Sequence, residues 1–108
     1  LGGIRPHPDF PGFKEFFINP YIPNGLNYVR TKYLSPHGKI ISNWKKSDNS
    51  ITYDFEIPKE TVAHVSIQMK KNQSISVSKS GLNLEDIDDF QDGKFILDNG
   101  IYTVEVSN

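Results

Sequence analysis

The run Ile51-Thr52-Tyr53-Asp54-Phe55-Glu56-Ile57 alternates apolar and polar side chains without a break. Successive side chains of a strand point to opposite faces, so Ile51, Tyr53, Phe55 and Ile57 share one face and Thr52, Asp54 and Glu56 the other. A helix would scatter the four apolar residues around its circumference. The stretch is therefore read as a strand with one face on a core and one in water.

Weaker copies of this period recur along the chain. Residues 13–19 run up to Pro20, and residues 28–34 run into Ser35-Pro36-His37-Gly38, a turn signal. Residues 39–45 place Ile40, Ser42 and Trp44 on one face and Ile41 on the other. Residues 61–69 set Ala63, Val65, Ile67 and Met69 against Val62, His64, Ser66 and Gln68. Ile75 with Val77, and Phe95 with Leu97, mark two shorter strands. Asp98-Asn99-Gly100 reads as a hairpin turn leading into residues 100–106, where Tyr102, Val104 and Val106 face inward. About eight short strands separated by turns predict an all-β antiparallel sandwich, jelly-roll-like. One short helix is expected over residues 84–90, with Asn83 as its N-cap.

The first twelve residues hold Pro6, Pro8, Pro11, Gly2, Gly3 and Gly12. Such a density of breaks predicts an extended arm over residues 1–12, followed by one sandwich domain over residues 13–108. A chain of 108 residues suffices for one core, and 7 Phe, 5 Tyr and 1 Trp supply large buried areas. No apolar run approaches the ~18 residues of a membrane span. The start carries neither the basic nor the apolar region of a signal peptide, and the missing initiator Met fits a fragment of a longer chain.

With no cysteine, disulfides, thiolate zinc sites and cysteine nucleophiles are excluded together. A net charge of −1 lacks the footprint of a nucleic-acid binder. Charge is uneven: residues 1–54 carry +3 and residues 55–108 carry −4. The pairs Lys45-Lys46 and Lys70-Lys71 read as strand-end charges that protect sheet edges.

Catalytic patterns are missing. Glu85, Asp86, Asp88, Asp89 and Asp92 crowd together, but Phe90 stands where a calcium loop needs an oxygen ligand, so a solvated acidic loop is the simpler reading. A glycosidase needs two carboxylates about 5–9.5 Å apart. Glu15, Asp54, Glu56 and Glu105 occupy outward strand positions, and nothing in their spacing marks a pair. His7, His37 and His64 have no ligand-spaced partner, and there is no G-x-S-x-G elbow or glycine-rich phosphate loop. No metal and no cofactor are expected. Among the aromatics, Tyr28, Tyr33 and Trp44 are the candidate carbohydrate-stacking residues. Trp44 also lies on an inward face, where core packing is the stronger reading, whereas Tyr28 shares its face with Arg30 and Lys32.

The ordered string Gly3-Ile4-Arg5-Pro6, Pro11-Gly12-Phe13-Lys14, Gly25-Leu26, Ser35-Pro36-His37-Gly38-Lys39-Ile40, Ser42 and Trp44 resembles the C-terminal domain of bacterial α-L-rhamnosidases of glycoside hydrolase family 78. Ile57-Pro58-Lys59-Glu60-Thr61-Val62-Ala63-His64-Val65 is similar to that domain's "IP-x-N-T-x-A-x-V" segment, with Glu60 in place of the Asn. Gly100-Ile101-Tyr102-Thr103-Val104-Glu105-Val106 resembles its closing strand. The resemblance implies a β-sandwich that comes after an (α/α)₆ barrel, the barrel holding the carboxylates that hydrolyse α-L-rhamnosides with inversion. None of the barrel's motifs occurs here, so no catalytic residue carries over. The resemblance therefore implies a non-catalytic accessory domain whose partner is its own upstream catalytic domain, with Ile4 and Phe10 as candidate interdomain contacts. The competing reading is a carbohydrate-binding module for rhamnose-containing plant glycans. Neither reading involves nucleic acid or membrane, and the resemblance favours a periplasmic or secreted setting.

Overall fold

The computed structural model describes residues 3–6, 14–23, 25–69, 72–79, 82–83 and 93–107. Among these, ten strands form: β1 (Ile4–Pro6), β2 (Glu15–Ile18), β3 (Tyr28–Ser35), β4 (Gly38–Lys46), β5 (Ser50–Ile57), β6 (Val62–Ser66), β7 (Ser74–Lys79), β8 (Leu82–Asn83), β9 (Lys94–Leu97) and β10 (Gly100–Ser107). They make a four-stranded sheet in the order β1-β2-β6-β9 and a six-stranded sheet in the order β3-β4-β5-β10-β7-β8. The chain crosses repeatedly from one sheet to the other, as an all-β sandwich requires. All pairs are antiparallel except β2 with β6.

The core lies where the period-two pattern puts it. Tyr53, Phe55 and Ile57 from β5 are buried, as are Ile40, Ser42 and Trp44 from β4 and Tyr102, Val104 and Val106 from β10. The smaller sheet contributes Phe16, Ile18, Ala63, Val65, Phe95 and Leu97 from the other side. Tyr53 and Phe55 stack along one face of β5 with ring centroids 6.0 Å apart. Burial pushes the Tyr53 phenol up to about 12, because the charged phenolate cannot be solvated there.

Two sequence expectations are modified. Asp98-Asn99-Gly100 does not close a hairpin: β9 pairs with β6 in the smaller sheet, and β10 pairs with β5 and β7 in the larger. The segment is a sheet-to-sheet crossover. A hairpin turn of the Asn-Gly kind needs positive φ at both centres, and only Gly100 has it, at 147°. A tight hairpin instead joins β3 and β4. There Ser35 Oγ donates to the Gly38 carbonyl at 2.8 Å and accepts from the His37 N–H at 3.2 Å.

Second, part of the segment expected as an arm is extended but paired. Ile4, Arg5 and Pro6 lie in register with Ile18, Phe17 and Phe16 at the sheet's edge, where proline is tolerated. The Asn19 N–H donates to the Gly3 carbonyl at 2.9 Å, which continues the ladder.

Asn83, the expected N-cap, ends β8 in register with Ser78. The helix expected over residues 84–90 lies outside the described residues, as does the acidic run 85–92.

Candidate functional site

The three candidate stacking residues do not come together. Trp44 is 2% exposed in the middle of the core, so its indole offers no face to a sugar. Its Nε1 is buried without a hydrogen-bond partner, a cost of ~1–3 kcal/mol. Packing between the sheets is the physical reason this candidate fails. Tyr28 and Tyr33 stand on β3 an odd number of residues apart and therefore point to opposite faces of the larger sheet. Tyr33 is in register with buried Ile40, at the rim of the inner face. Tyr28 is on the outer face, 62% exposed, with the Arg30 guanidinium carbon 5.9 Å from its ring centroid.

Of the candidate interdomain contacts, Ile4 sits on edge strand β1 and packs in part against the core. Phe10 lies outside the described residues.

The carboxylates are dispersed. The Glu15 carboxylate accepts a hydrogen bond from His64 Nε2 at 2.8 Å on the smaller sheet. Asp54 accepts from the Thr103 hydroxyl at 3.1 Å, and Glu56 meets Lys39 at 3.5 Å. These three side chains serve cross-strand contacts on two different sheets. No group of three His, Asp or Glu among the described residues is placed to hold a metal.

Two surface features emerge that depend on strand pairing. The first is a row across the outer face of the smaller sheet. Arg5 pairs with Phe17, Phe17 with His64, and His64 with Ile96, so one residue from each strand lines up. The Phe17 and His64 rings lie 5.6 Å apart and tilted, and Ile96 is 60% exposed. Val62 extends the apolar surface from the adjacent pair. The row thus sets an aromatic and an exposed aliphatic side chain on an outward face, beside the Glu15–His64 pair. Val62 and His64 are adjacent outward positions on β6, but the parallel β2–β6 pairing joins residues 47 positions apart, and no local pattern reports it.

The second feature is the outer face of the larger sheet. Arg30, Lys32, Lys39 and Lys45 stand on β3 and β4, whereas Asp54, Glu56 and Glu105 stand on β5 and β10. Cations occupy one half and carboxylates the other.

Comparison with known proteins gives the context. Residues 3–82 match the family described as "Bacterial alpha-L-rhamnosidase C-terminal domain". An alpha-L-rhamnosidase of Formosa agariphila is 27% identical over 86 residues, covering 79% of this chain and 9% of that protein. The solved alpha-L-rhamnosidase of Dictyoglumus thermophilum superposes on all of this chain with a TM-score of 0.77 at 16% identity, over 12% of its own length. The Streptomyces avermitilis alpha-L-rhamnosidase, solved with L-rhamnose, superposes on 99% of this chain with a TM-score of 0.72 at 18% identity, over 10% of its length. The chain thus spans about a tenth of the length of these relatives, and at such identity the superpositions speak for the sandwich fold. With most of its length matched, the chain belongs to the bacterial alpha-L-rhamnosidase C-terminal domain family.

Proposed function

We propose that this chain is the non-catalytic accessory domain of an α-L-rhamnosidase-like glycoside hydrolase, and that it docks on and stabilises the catalytic domain preceding it. The observation that carries the reading is the Phe17–His64–Ile96 row, which sets a phenyl ring and an exposed isoleucine on the solvent face of a sheet beside the Glu15–His64 pair. Two facts point to the occupant. In the relatives about nine-tenths of the polypeptide lies outside the matched segment. The N-terminal strand β1 forms the edge of this same sheet, so chain arriving from upstream meets the sandwich beside the row.

Hydrolysis belongs, in this reading, to the upstream domain. The contacts of Glu15, Asp54 and Glu56 are cross-strand contacts, which accords with a supporting role. The 108-residue chain is accordingly expected to give only background turnover of p-nitrophenyl α-L-rhamnoside, and activity that tracks the purified protein would refute the non-catalytic role.

Docking is tested with Ile96→Lys, made both in the isolated chain and in the full-length enzyme. Ile96 is exposed in the isolated chain, so its unfolding should change by less than about 0.5 kcal/mol. In the full-length enzyme the lysine would be buried at an interface, and the cost should be about 2 kcal/mol or more. Equal, small effects in both settings would mean that nothing covers the row.

A further inference from the structure

We propose that the outer face of β3 and β4 is a binding strip for acidic polysaccharide, centred on Tyr28 and Arg30. The strip rests on membership of a glycan-hydrolase family and on its own geometry. It lies on the larger sheet, opposite the Phe17–His64–Ile96 row, so it stands or falls independently of the docking role.

Tyr28, Arg30 and Lys32 occupy successive outward positions of β3, about 7 Å apart. The register sets Tyr28 against Lys45, Arg30 against Asn43, and Lys32 against Ile41 on β4. Asn43 Oδ1 accepts from the Thr31 N–H at 3.1 Å, which fastens the two strands behind Arg30. Among the described residues the ion pairs are Lys39 with Glu56, Lys79 with Asp98, and His64 with Glu15. Arg30, Lys32 and Lys45 take part in none of them. The outward carboxylates Asp54, Glu56 and Glu105 begin on β5, two strand spacings or about 10 Å from β3.

Three uncompensated cations on adjacent strands repel one another, which costs stability unless an anion joins them. Protection of an edge strand explains an exposed lysine. It does not explain a tyrosine ring held beside a guanidinium on the same face. The combination fits a sugar chain bearing carboxylate or sulfate groups. The C–H face of a pyranose can lie on Tyr28, the guanidinium fork can bind an anionic group in two-pronged fashion, and Lys32 and Lys45 supply point charges along the strip. An open, flat sheet face suits an extended polymer, whereas small ligands favour concave sites.

Native affinity electrophoresis of the 108-residue chain tests the strip, using gels that contain polygalacturonate, dextran sulfate or neutral dextran. Retardation is expected in one or both acidic gels and not in dextran, and it should vanish at about 0.3 M added salt. Polygalacturonate alone would identify carboxylate as the recognised group, and dextran sulfate alone would identify sulfate. The double substitution Arg30→Ala with Lys32→Ala should weaken retention about tenfold or more, while thermal unfolding stays that of the parent. Tyr28→Ala leaves the charge unchanged and should still weaken retention several-fold. No retardation in either acidic gel, equal retardation in dextran, or retention unchanged by Tyr28→Ala would each overturn the proposal. So would concentration-dependent self-association abolished by the Arg30 and Lys32 substitutions, since the strip would then serve a second copy of this chain.

Discussion

The Tyr102 hydroxyl donates to Asp98 Oδ1 at 2.6 Å across the β9–β10 crossover, tying the first residue after the smaller sheet to the larger one. Lys79 Nζ adds a contact to the same oxygen at 3.5 Å and stands 5.4 Å from the Tyr102 ring centroid. The Tyr102 hydrogen bond holds the Asp98 carboxyl below its ordinary value against the opposing effect of burial, with Lys79 lowering it further. Burial first, and then Asp98, push the Tyr102 phenol well above the ordinary tyrosine value.

These shifts have opposite pH signatures. Asp98 binds its proton less readily when folded, so its contribution is present above the unfolded carboxylate value near 4 and is lost as the pH falls through the lower folded value. Tyr102 holds its proton more tightly when folded, so its contribution is full below about pH 10 and is lost as the pH rises further. Urea unfolding of the parent and Tyr102→Phe should therefore differ most near pH 7. The gap should narrow at pH 3 and again above pH 10. A gap independent of pH would remove the hydrogen bond as its cause. Because Asp98 is largely exposed, the acid-side change should be a fraction of a kcal/mol.

A second prediction concerns Glu60, the one non-glycine residue with positive φ among those described, at 63°. It sits in the β5–β6 crossover, where Thr61 Oγ1 donates to the Pro58 carbonyl at 2.7 Å and fixes the turn. A side chain with a Cβ pays ~1–2 kcal/mol for this conformation, and Asn tolerates it better. The resembled family pattern has Asn at this position. Glu60→Asn should raise stability by about 0.5–1 kcal/mol, read as a shift in the urea midpoint without a change in slope.

Phe55 tests the core. It is buried on β5 between the sheets, and Phe55→Ala should cost about 3–5 kcal/mol, a large share of the stability of a domain this size. A loss below about 0.5 kcal/mol in chemical denaturation would place the ring at the surface.

Which side of each strand faces the core was readable because side-chain alternation is a local property. Tyr53, Phe55, Trp44 and Val104 read as inward from neighbours two residues away, and all are buried. Strand partners were not readable. Phe17 and His64 meet only through a parallel pairing across three intervening strands, and Asn99-Gly100 looks like a hairpin until the two flanking strands prove to lie in different sheets. The candidate site suffered the same way. Tyr28 and Tyr33 are near in sequence, but parity on one strand separates them, while Lys45 reaches Tyr28 only through the β3–β4 register.

The last prediction concerns Gly3 and the edge strand. Gly3 has φ of 71°, a region where glycine is at ease, and a Cβ there would collide with the Asn19 carbonyl. Gly3→Ala should therefore release β1 while leaving the rest of the smaller sheet paired through β2, β6 and β9. In hydrogen exchange, the Asn19 amide, which donates to the Gly3 carbonyl in the parent, should lose protection. Amides of β5 and β10 in the other sheet should keep theirs. Loss of protection across both sheets would instead mean that β1 is needed for the whole sandwich. An unchanged Asn19 amide would mean that β1 does not pair in solution, and residues 4–6 would then be free to lie along an upstream domain as an arm.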